Sequence, residues 1–514
     1  MKPPKGQMYG KPEIWIERSL EASPSASALP SLALASVLMM AGAALLALVA
    51  MSASPAPTWA QGPGLDQDDA PIYLPLSLGR SAHETAVYER NDIFGLQISE
   101  LRFREAAMIE GIRDSGASLW RTFLFWDEVE PERKSPPVYD WAHYDHLFGQ
   151  AQAQGLSVIT EIQGNPRWAA EYPGGPPNNV DTLAAFVAAA VERYDGDGID
   201  DAPGGIRIRY WELYNEPDNR DADLALKGRG WGFWGNQGAE YARMLKRVYP
   251  VIKLSNPQAE VILGGIAHED VPGEDWPFNI NFLDDVLKAG GGNYFDIMNF
   301  HYYPLFAPNW AEHGVGVIGK TRGIERKLAN YGLKKPIMVT EAGMWSDAEP
   351  PYPPATPIDQ VRYVAKLYSR ALATGIRGVV WFQYDDVDGV DDPARGLVDG
   401  ELADKPSRTA FRVASKELAG VTAPRPARDL MAQGEVYWFR QGEDLLGVAW
   451  TEDGSSRWLS LPTLQAERVH ALGNRSILRD ETDGKLDGMT EIPYGADPVF
   501  IRIPKGWVNG GMRP

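Results

Sequence analysis

Glu216 sits in WELYNEPD, residues 211–218, between an asparagine and a proline at the end of an apolar-alternating run. Proline cannot donate to a strand ladder, and an Asn-Glu pair at a strand tip gains little from packing. A second acid, Glu341, ends another apolar run in PIMVTEAGMW. Two carboxylates facing each other across a cleft suit glycoside hydrolysis, one as proton donor and the other as nucleophile or base. The donor has to stay protonated near neutral pH, which calls for partial desolvation or a neighbouring negative charge. The other has to stay ionised, which calls for a nearby cation or hydroxyl.

Something must hold two such acids face to face. From Ile93 onward, eight short apolar runs alternate with amphipathic helical segments: 93–99, 119–125, 157–162, 206–214, 260–265, 297–301, 336–340 and 378–383. Strands alternating with helices imply a parallel sheet, and eight repeats imply closure into a (β/α)8 TIM barrel. An open doubly wound sheet is disfavoured, because no Gly-rich phosphate loop follows the first run. In a barrel of this kind the C-terminal strand ends face the active site. Read there, the chain offers Arg121 on strand 2, Asn165 and Trp168 after strand 3, Asn215 and Glu216 after strand 4, His301 and Tyr303 at strand 6, Glu341 at strand 7 and Trp381 on strand 8. Beyond Pro424 the runs EVYWFRQ, LLGVAWT, RWLSLP, ERVHAL and PVFIRIP alternate and are broken by Gly, Asp and Asn turns. They read as a small C-terminal antiparallel β-sandwich, expected to pack against the barrel, with sugar binding as its alternative role.

In combination these motifs resemble the clan A glycoside hydrolases, and most closely their family 39-like branch, over roughly residues 90 to 510. The resemblance implies a retaining double displacement, with Glu216 as acid/base and Glu341 as nucleophile. It implies that Asn215 holds the sugar 2-hydroxyl and that Arg121 and Tyr303 hydrogen-bond Glu341. It further implies that His301 lines the sugar pocket and that Trp381 is the platform beneath the sugar, while Asn165 is expected to bind substrate from its place at the end of strand 3. AGMWSD after the nucleophile departs from the family's xylosidases and resembles polysaccharide-acting relatives.

Several of these residues have a competing structural reading. Glu212 shares strand parity with Tyr210 and Tyr214 and is expected to form a structural ion pair with a buried Arg such as Arg121. Glu161 and Asp218 read as polar lining. His301 and Trp381 also suit a core, while Trp231, Trp234 and Trp345 suit either sugar subsites or loop anchors. DGDGIDD (195–201) has the spacing of part of a calcium loop, with Asp195, Asp197 and Asp201 as ligands. Its first ligand position falls on Arg193, however, and it lies on the face of the barrel away from catalysis, so a metal-free Asp/Gly turn competes. The acidic loop from Asp385 reads as a polar or sugar-binding rim.

The 514 residues divide into an N-terminal signal peptide or membrane anchor (1–60), a linker and lead-in (61–88), the catalytic barrel (89–420) and the sandwich (425–514). Lys2, Lys5, Lys11 and Arg18 precede an uncharged run from Ser31 to Met51. SASPAPTWAQ follows, so the segment is either cleaved after Ala60 or retained as an anchor. Either way the body is expected outside the cytoplasm. A net charge of -19 argues against nucleic acid. The absence of cysteine excludes disulfides and thiolate chemistry. Seven scattered histidines without HExxH argue against catalytic zinc. No cofactor is expected for catalysis. The expected partner is a poly- or oligosaccharide substrate, and the expected activity is cleavage of its O-glycosidic bonds. The alternatives are a transglycosylase remodelling surface glycans and a non-catalytic carbohydrate-binding barrel.

Overall fold

The eight apolar runs do become the strands of a closed barrel. The computed structural model describes residues 93–505 except 100–101, 103–104, 221–233, 270, 272–276, 349–352, 388–393 and 423–433. The export or anchor segment, the linker and Trp231 lie outside the described residues. Among those described, no helix is long and apolar enough to cross a membrane. The parallel strands are β1 (Phe94–Gln97), β2 (Leu119–Phe125), β3 (Ser157–Gln163), β4 (Tyr210–Leu213), β5 (Glu260–Leu263), β6 (Met298–Tyr302), β7 (Ile337–Ala342) and β8 (Gly378–Phe382). Their order is β5-β4-β3-β2-β1-β8-β7-β6. Parallel bridges Ile262–Ile297 and Ile266–Phe300 join the two ends. The fourth run is shorter than expected. Ile206 and Ile208 are buried but lie outside the strand, and Ile208 N–H donates to the Tyr194 carbonyl as the chain enters β4.

Helices cover the outside of the sheet. The one at Pro357–Thr374 shows how local sequence sets the ends: Thr356 and Asp359 form a capping box, Pro357 occupies the first turn, and Gly375 stops the helix at φ +80°.

Inside the barrel the side chains stack in layers. Leu119, Ile159, Tyr210, Ile262, Ile297, Met338 and Val380 form an apolar floor. Two residues further along each strand the layer turns polar, with Gln97, Arg121, Glu161, Glu212, Asn299 and Thr340, all buried. This polar layer lies directly below the strand tips.

The C-terminal region is antiparallel. β9 (Glu435–Gln441), β10 (Asp444–Trp450), β12 (Gln465–His470), β13 (Arg475–Arg479) and β15 (Val499–Ile503) form one sheet, and β11 (Arg457–Leu461) pairs with β14 (Thr490–Tyr494). Sequence patterning missed β13 and β14, whose outward residues leave too little apolar alternation to read. The two regions meet through charge as well as apolar packing. Arg370 of the Pro357–Thr374 helix donates to Glu435 (3.0 Å) and Glu452 (2.7 Å) and stacks 5.4 Å from the centre of the Trp450 ring. Arg502 reaches Glu417 at 2.9 Å.

Candidate active site

The odd ending of WELYNEPD is a sharp turn of the chain. Tyr214 (φ +64°) and Glu216 (φ +43°) are both left-handed, a conformation costing a non-glycine residue about 1–3 kcal/mol. The turn is held by Glu216 N–H donating to the Gly265 carbonyl at 2.9 Å. It aims the Glu216 carboxyl over the barrel axis, toward β6 and β7.

Glu341 arrives there by a different device. Asn299 pairs with Met338 and His301 with Glu341, so β7 spends three residues where β6 spends two. The register against β8 shifts at the same place. This bulge lets consecutive residues face inward: Thr340 donates to Glu212 at 3.1 Å, while Glu341 reaches the cleft.

The two carboxyls meet around one imidazole. His301 Nδ1 is 3.0 Å from Glu216 Oε1 and 3.7 Å from Glu341 Oε2. One carboxylate oxygen of each glutamate and one His301 nitrogen all lie within 4.8 Å of one another. Tyr303 hydroxyl donates to Glu341 Oε1 at 2.5 Å. Gly265 makes room for this cluster, since a Cβ there would fall 2.1 Å from His301 Nε2.

The two acids differ in environment. Burial raises the Glu216 carboxyl to about 7, against the opposing pull of Arg121, Lys320 and Arg395. Burial lowers His301 to about 4, with Glu341 opposing, so the ring is neutral at pH 7. Burial and the Glu341 charge hold the Tyr303 hydroxyl well above its usual value, so it stays a donor to Glu341. At neutral pH one carboxyl can hold a proton while a phenol donates to the other.

Arg121 sits underneath. It donates to Glu212 through Nε and Nη2, both at 2.9 Å, to Gln97 at 2.8 Å and to Asn215 Oδ1 at 2.8 Å, and it lies 2.6 Å from Glu161. Burial alone would lower its pKa, but the surrounding glutamates raise it instead. Its nearest approach to Glu341 is 3.7 Å, an ion pair rather than the expected hydrogen bond. The expected Arg121–Glu212 ion pair is present. With Oδ1 held by Arg121, Asn215 can present only its NH2 as a donor, and among the described residues nothing accepts from it.

Other expectations change. Trp381 has no exposed surface. It points into the layer between sheet and helices, 6.0 Å from the Tyr363 ring, and its indole donates to the Arg395 carbonyl. The reason is parity: Val380 faces the barrel interior, so Phe382 does too and Trp381 cannot. Phe382, half-buried at the tip of β8 with the Arg395 guanidinium 4.8 Å from its ring centre, is the aromatic group on the cleft side. Asn165 uses both ends of its amide internally, donating to the Gly175 carbonyl (2.7 Å) and accepting from Tyr214 (2.8 Å), so it braces the cleft wall. Trp234 and Trp345 are buried anchors; Trp234 packs edge-on to Tyr214 and Tyr241, and Trp345 stacks on Tyr303. Glu161 and Asp218 are fully buried rather than lining the cleft. Asp385, expected at the rim, is buried and ties the β8 exit to Ser99.

Sequence reasoning missed Lys320, a buried lysine that donates to the His301 carbonyl (2.9 Å) and pairs with Glu269 (2.5 Å). Its signal was available. Val317, Lys320, Ile324 and Leu328 lie on one helical stripe, and a lysine on an apolar stripe needs a buried partner.

Asp195, Asp197 and Asp201 do come together, with carboxylate oxygens within 4.8 Å. Those oxygens already accept backbone N–H groups: Asp201 from Gly196 and Gly198, Asp195 from Asp197, and Asp197 from Ile199.

No family model matches the chain, and no curated protein matches it. Among solved structures it is similar to a family 39 glycoside hydrolase from the gut symbiont Bacteroides cellulosilyticus WH2. The identity is 21%, 80% of this chain and 81% of that one are covered, and the TM-score is 0.60. It is also similar to a family 30 endoxylanase from Clostridium papyrosolvens C71 (12% identity, 81% and 97% covered, TM-score 0.53). A conserved exported protein from Bacteroides fragilis matches at 14% identity over 81% and 98%, with a TM-score of 0.55. At these identities the likeness is one of fold, shared with proteins described as glycoside hydrolases.

Proposed function

We propose that the protein is an exported retaining glycoside hydrolase that cleaves O-glycosidic bonds of a poly- or oligosaccharide. The observation that carries this reading is the pairing of Glu216 and Glu341 around His301, with one oxygen of each carboxyl no more than 4.8 Å from one of the other and burial raising Glu216. Retention uses carboxyls about 5–5.5 Å apart, whereas inversion leaves room for a water at about 6.5–9.5 Å. The short spacing favours retention. The same fold in proteins described as glycoside hydrolases supports the reaction class, and the uncharged run at 31–51 supports export, as does the likeness to a conserved exported protein.

In the first step Glu341 attacks the anomeric carbon as Glu216 gives its proton to the departing glycosidic oxygen. In the second, Glu216, now ionised, takes a proton from water as that water attacks the same carbon and releases Glu341. Asn215 donates to the sugar 2-hydroxyl and Phe382 lines the sugar's apolar face. Neutral His301 spaces the two carboxyls, and Tyr303 donates to Glu341 while it is ionised.

The test is covalent trapping. The protein is first screened on a panel of aryl glycosides, and the 2-fluoro analogue of the best substrate is then added. Mass spectrometry is expected to find one sugar per chain, on the peptide holding Glu341. A label on another residue, or none with a turned-over substrate, overturns the retaining assignment.

No cofactor enters these steps. A structural part is proposed for calcium at Asp195, Asp197 and Asp201, on the barrel face away from the cleft. Calcium added to chelator-treated protein is expected to raise Tm and leave kcat unchanged, because a ligand of the native state stabilises by mass action, about 2.7 kcal/mol at a hundred times Kd. A Tm unmoved by millimolar calcium removes the ion from the reading and leaves the loop to its own Asx turns.

A further inference from the structure

Five non-glycine residues among those described have positive φ, and three of them cluster here: Tyr214, Glu216 and His268. Two separate left-handed turns, at the tips of β4 and β5, therefore face each other. One side chain bridges them. The Asp218 carboxylate accepts the Ala267 N–H through Oδ1 (3.1 Å) and the His268 N–H through Oδ2 (2.8 Å). It is wholly buried and touches neither the cleft nor solvent.

We propose that Asp218 is a positioning residue for Glu216, stapling the strained β4 turn to the 265–268 segment so that the Glu216 carboxyl meets His301. The proposal rests on the reading of Glu216 as the acid/base. The staple has two points. Glu216 N–H donates to the Gly265 carbonyl, and two residues later Asp218 accepts from the far end of the same segment. Between them Pro217 fixes its own φ and contributes no N–H. The segment is in turn tied to the pocket: His301 N–H donates to the Ile266 carbonyl, and Lys320 donates to the Ala267 carbonyl. Moving 265–268 would therefore move Glu216 against His301.

The choice of residue fits this role. Only a carboxylate offers two acceptor oxygens to two successive N–H groups; an asparagine of the same shape offers one and turns two donors toward the other N–H. Among the described residues no cation hydrogen-bonds Asp218; burying such a carboxylate is costly, and burial raises Asp218 to about 7, with Glu216 adding to the rise. Packing alone would be served by a neutral side chain.

The experiment compares Asp218→Asn with wild type and Glu216→Ala on two glycosides of one sugar, a dinitrophenyl glycoside and an alkyl glycoside. Folded sites are counted by 2-fluoroglycoside titration, so any misfolded fraction drops out. A residue acting through the acid affects only substrates that need protonation. In Asp218→Asn, kcat/KM per titrated site is expected to fall about 10²-fold on the alkyl glycoside, as for a misplaced catalytic group. On the dinitrophenyl glycoside it should stay within about threefold of wild type, because that leaving group departs without a proton. Equal losses on both substrates, or no loss on either, overturn the proposal. If Glu216→Ala itself shows no leaving-group dependence, the assignment of the acid fails instead.

Discussion

Cutting back either glutamate is expected to abolish turnover of natural glycans, but in two distinguishable ways. With Glu341→Ala no glycosyl-enzyme can form, so good and poor leaving groups stall alike. With Glu216→Ala a leaving group that needs no proton still departs, and the intermediate then accumulates on Glu341 because no base activates water. Losses of about 10²- to 10⁴-fold are expected for substrates that require the acid. Azide should rescue Glu216→Ala with retained anomeric configuration, attacking the glycosyl-enzyme from the face the leaving group vacated. On Glu341→Ala it should give the inverted product, entering where the carboxylate stood. The pH profile follows from the same pair. In the proposed mechanism Glu216 acts as the free acid, and burial raises its carboxyl to about 7. Wild-type kcat/KM should therefore hold below that value and fall as pH rises through it, and Glu216→Ala on a dinitrophenyl glycoside should lose that limb. Near-wild-type activity of Glu216→Ala on a natural glycan, or the same azide product from both variants, contradicts the assignment.

The barrel is legible because short apolar runs alternating with helical segments are a local signal, and so is an acid at the end of such a run. Less legible is which side chains the strand tips turn into the cleft. The resemblance implies Trp381 as the platform, whereas Val380 facing inward places Phe382 on the cleft side. Glu341 reaches the cleft only through a bulge that gives Thr340 and Glu341 the same face, and no periodicity encodes a bulge. Asn165 and Asp218 are polar residues beside the cleft whose partners lie elsewhere in the chain, the Gly175 carbonyl and the Tyr214 hydroxyl in one case and the Ala267 and His268 N–H groups in the other. Such pairings depend on how loops meet in space. Glu212 was read correctly as structural because its strand parity and the nearby Arg121 sufficed.

Arg121→Met should produce the largest loss of stability of any single change near the site. The guanidinium is sealed under the cleft and holds Glu212 through two bonds, with Glu161 at 2.6 Å. Removing it leaves two carboxyls buried inside the barrel. Breaking a buried pair in this way costs about 3–5 kcal/mol, mostly the penalty of the charge left unpaired. Glu212 keeps other donors, namely the Gly265 N–H, Asn299 and Thr340. Glu161 loses the cation that stands 2.6 Å from it. A second substitution, Glu161→Leu in the Arg121→Met background, should therefore recover part of the loss in urea unfolding. Activity should not return with it. Arg121 also fixes the Asn215 amide and stands 3.7 Å from Glu341, and neither service is replaced by an apolar core. Stability and turnover should thus separate in the double variant, with a protein that unfolds closer to wild type yet labels poorly with the 2-fluoroglycoside. If Arg121→Met lies within about 0.5 kcal/mol of wild type, the effect is that of an ordinary surface substitution and the buried-hub account is wrong. If the double variant regains turnover along with stability, Arg121 is a structural counter-ion and the alignment of Asn215 and Glu341 is set by the strand tips alone.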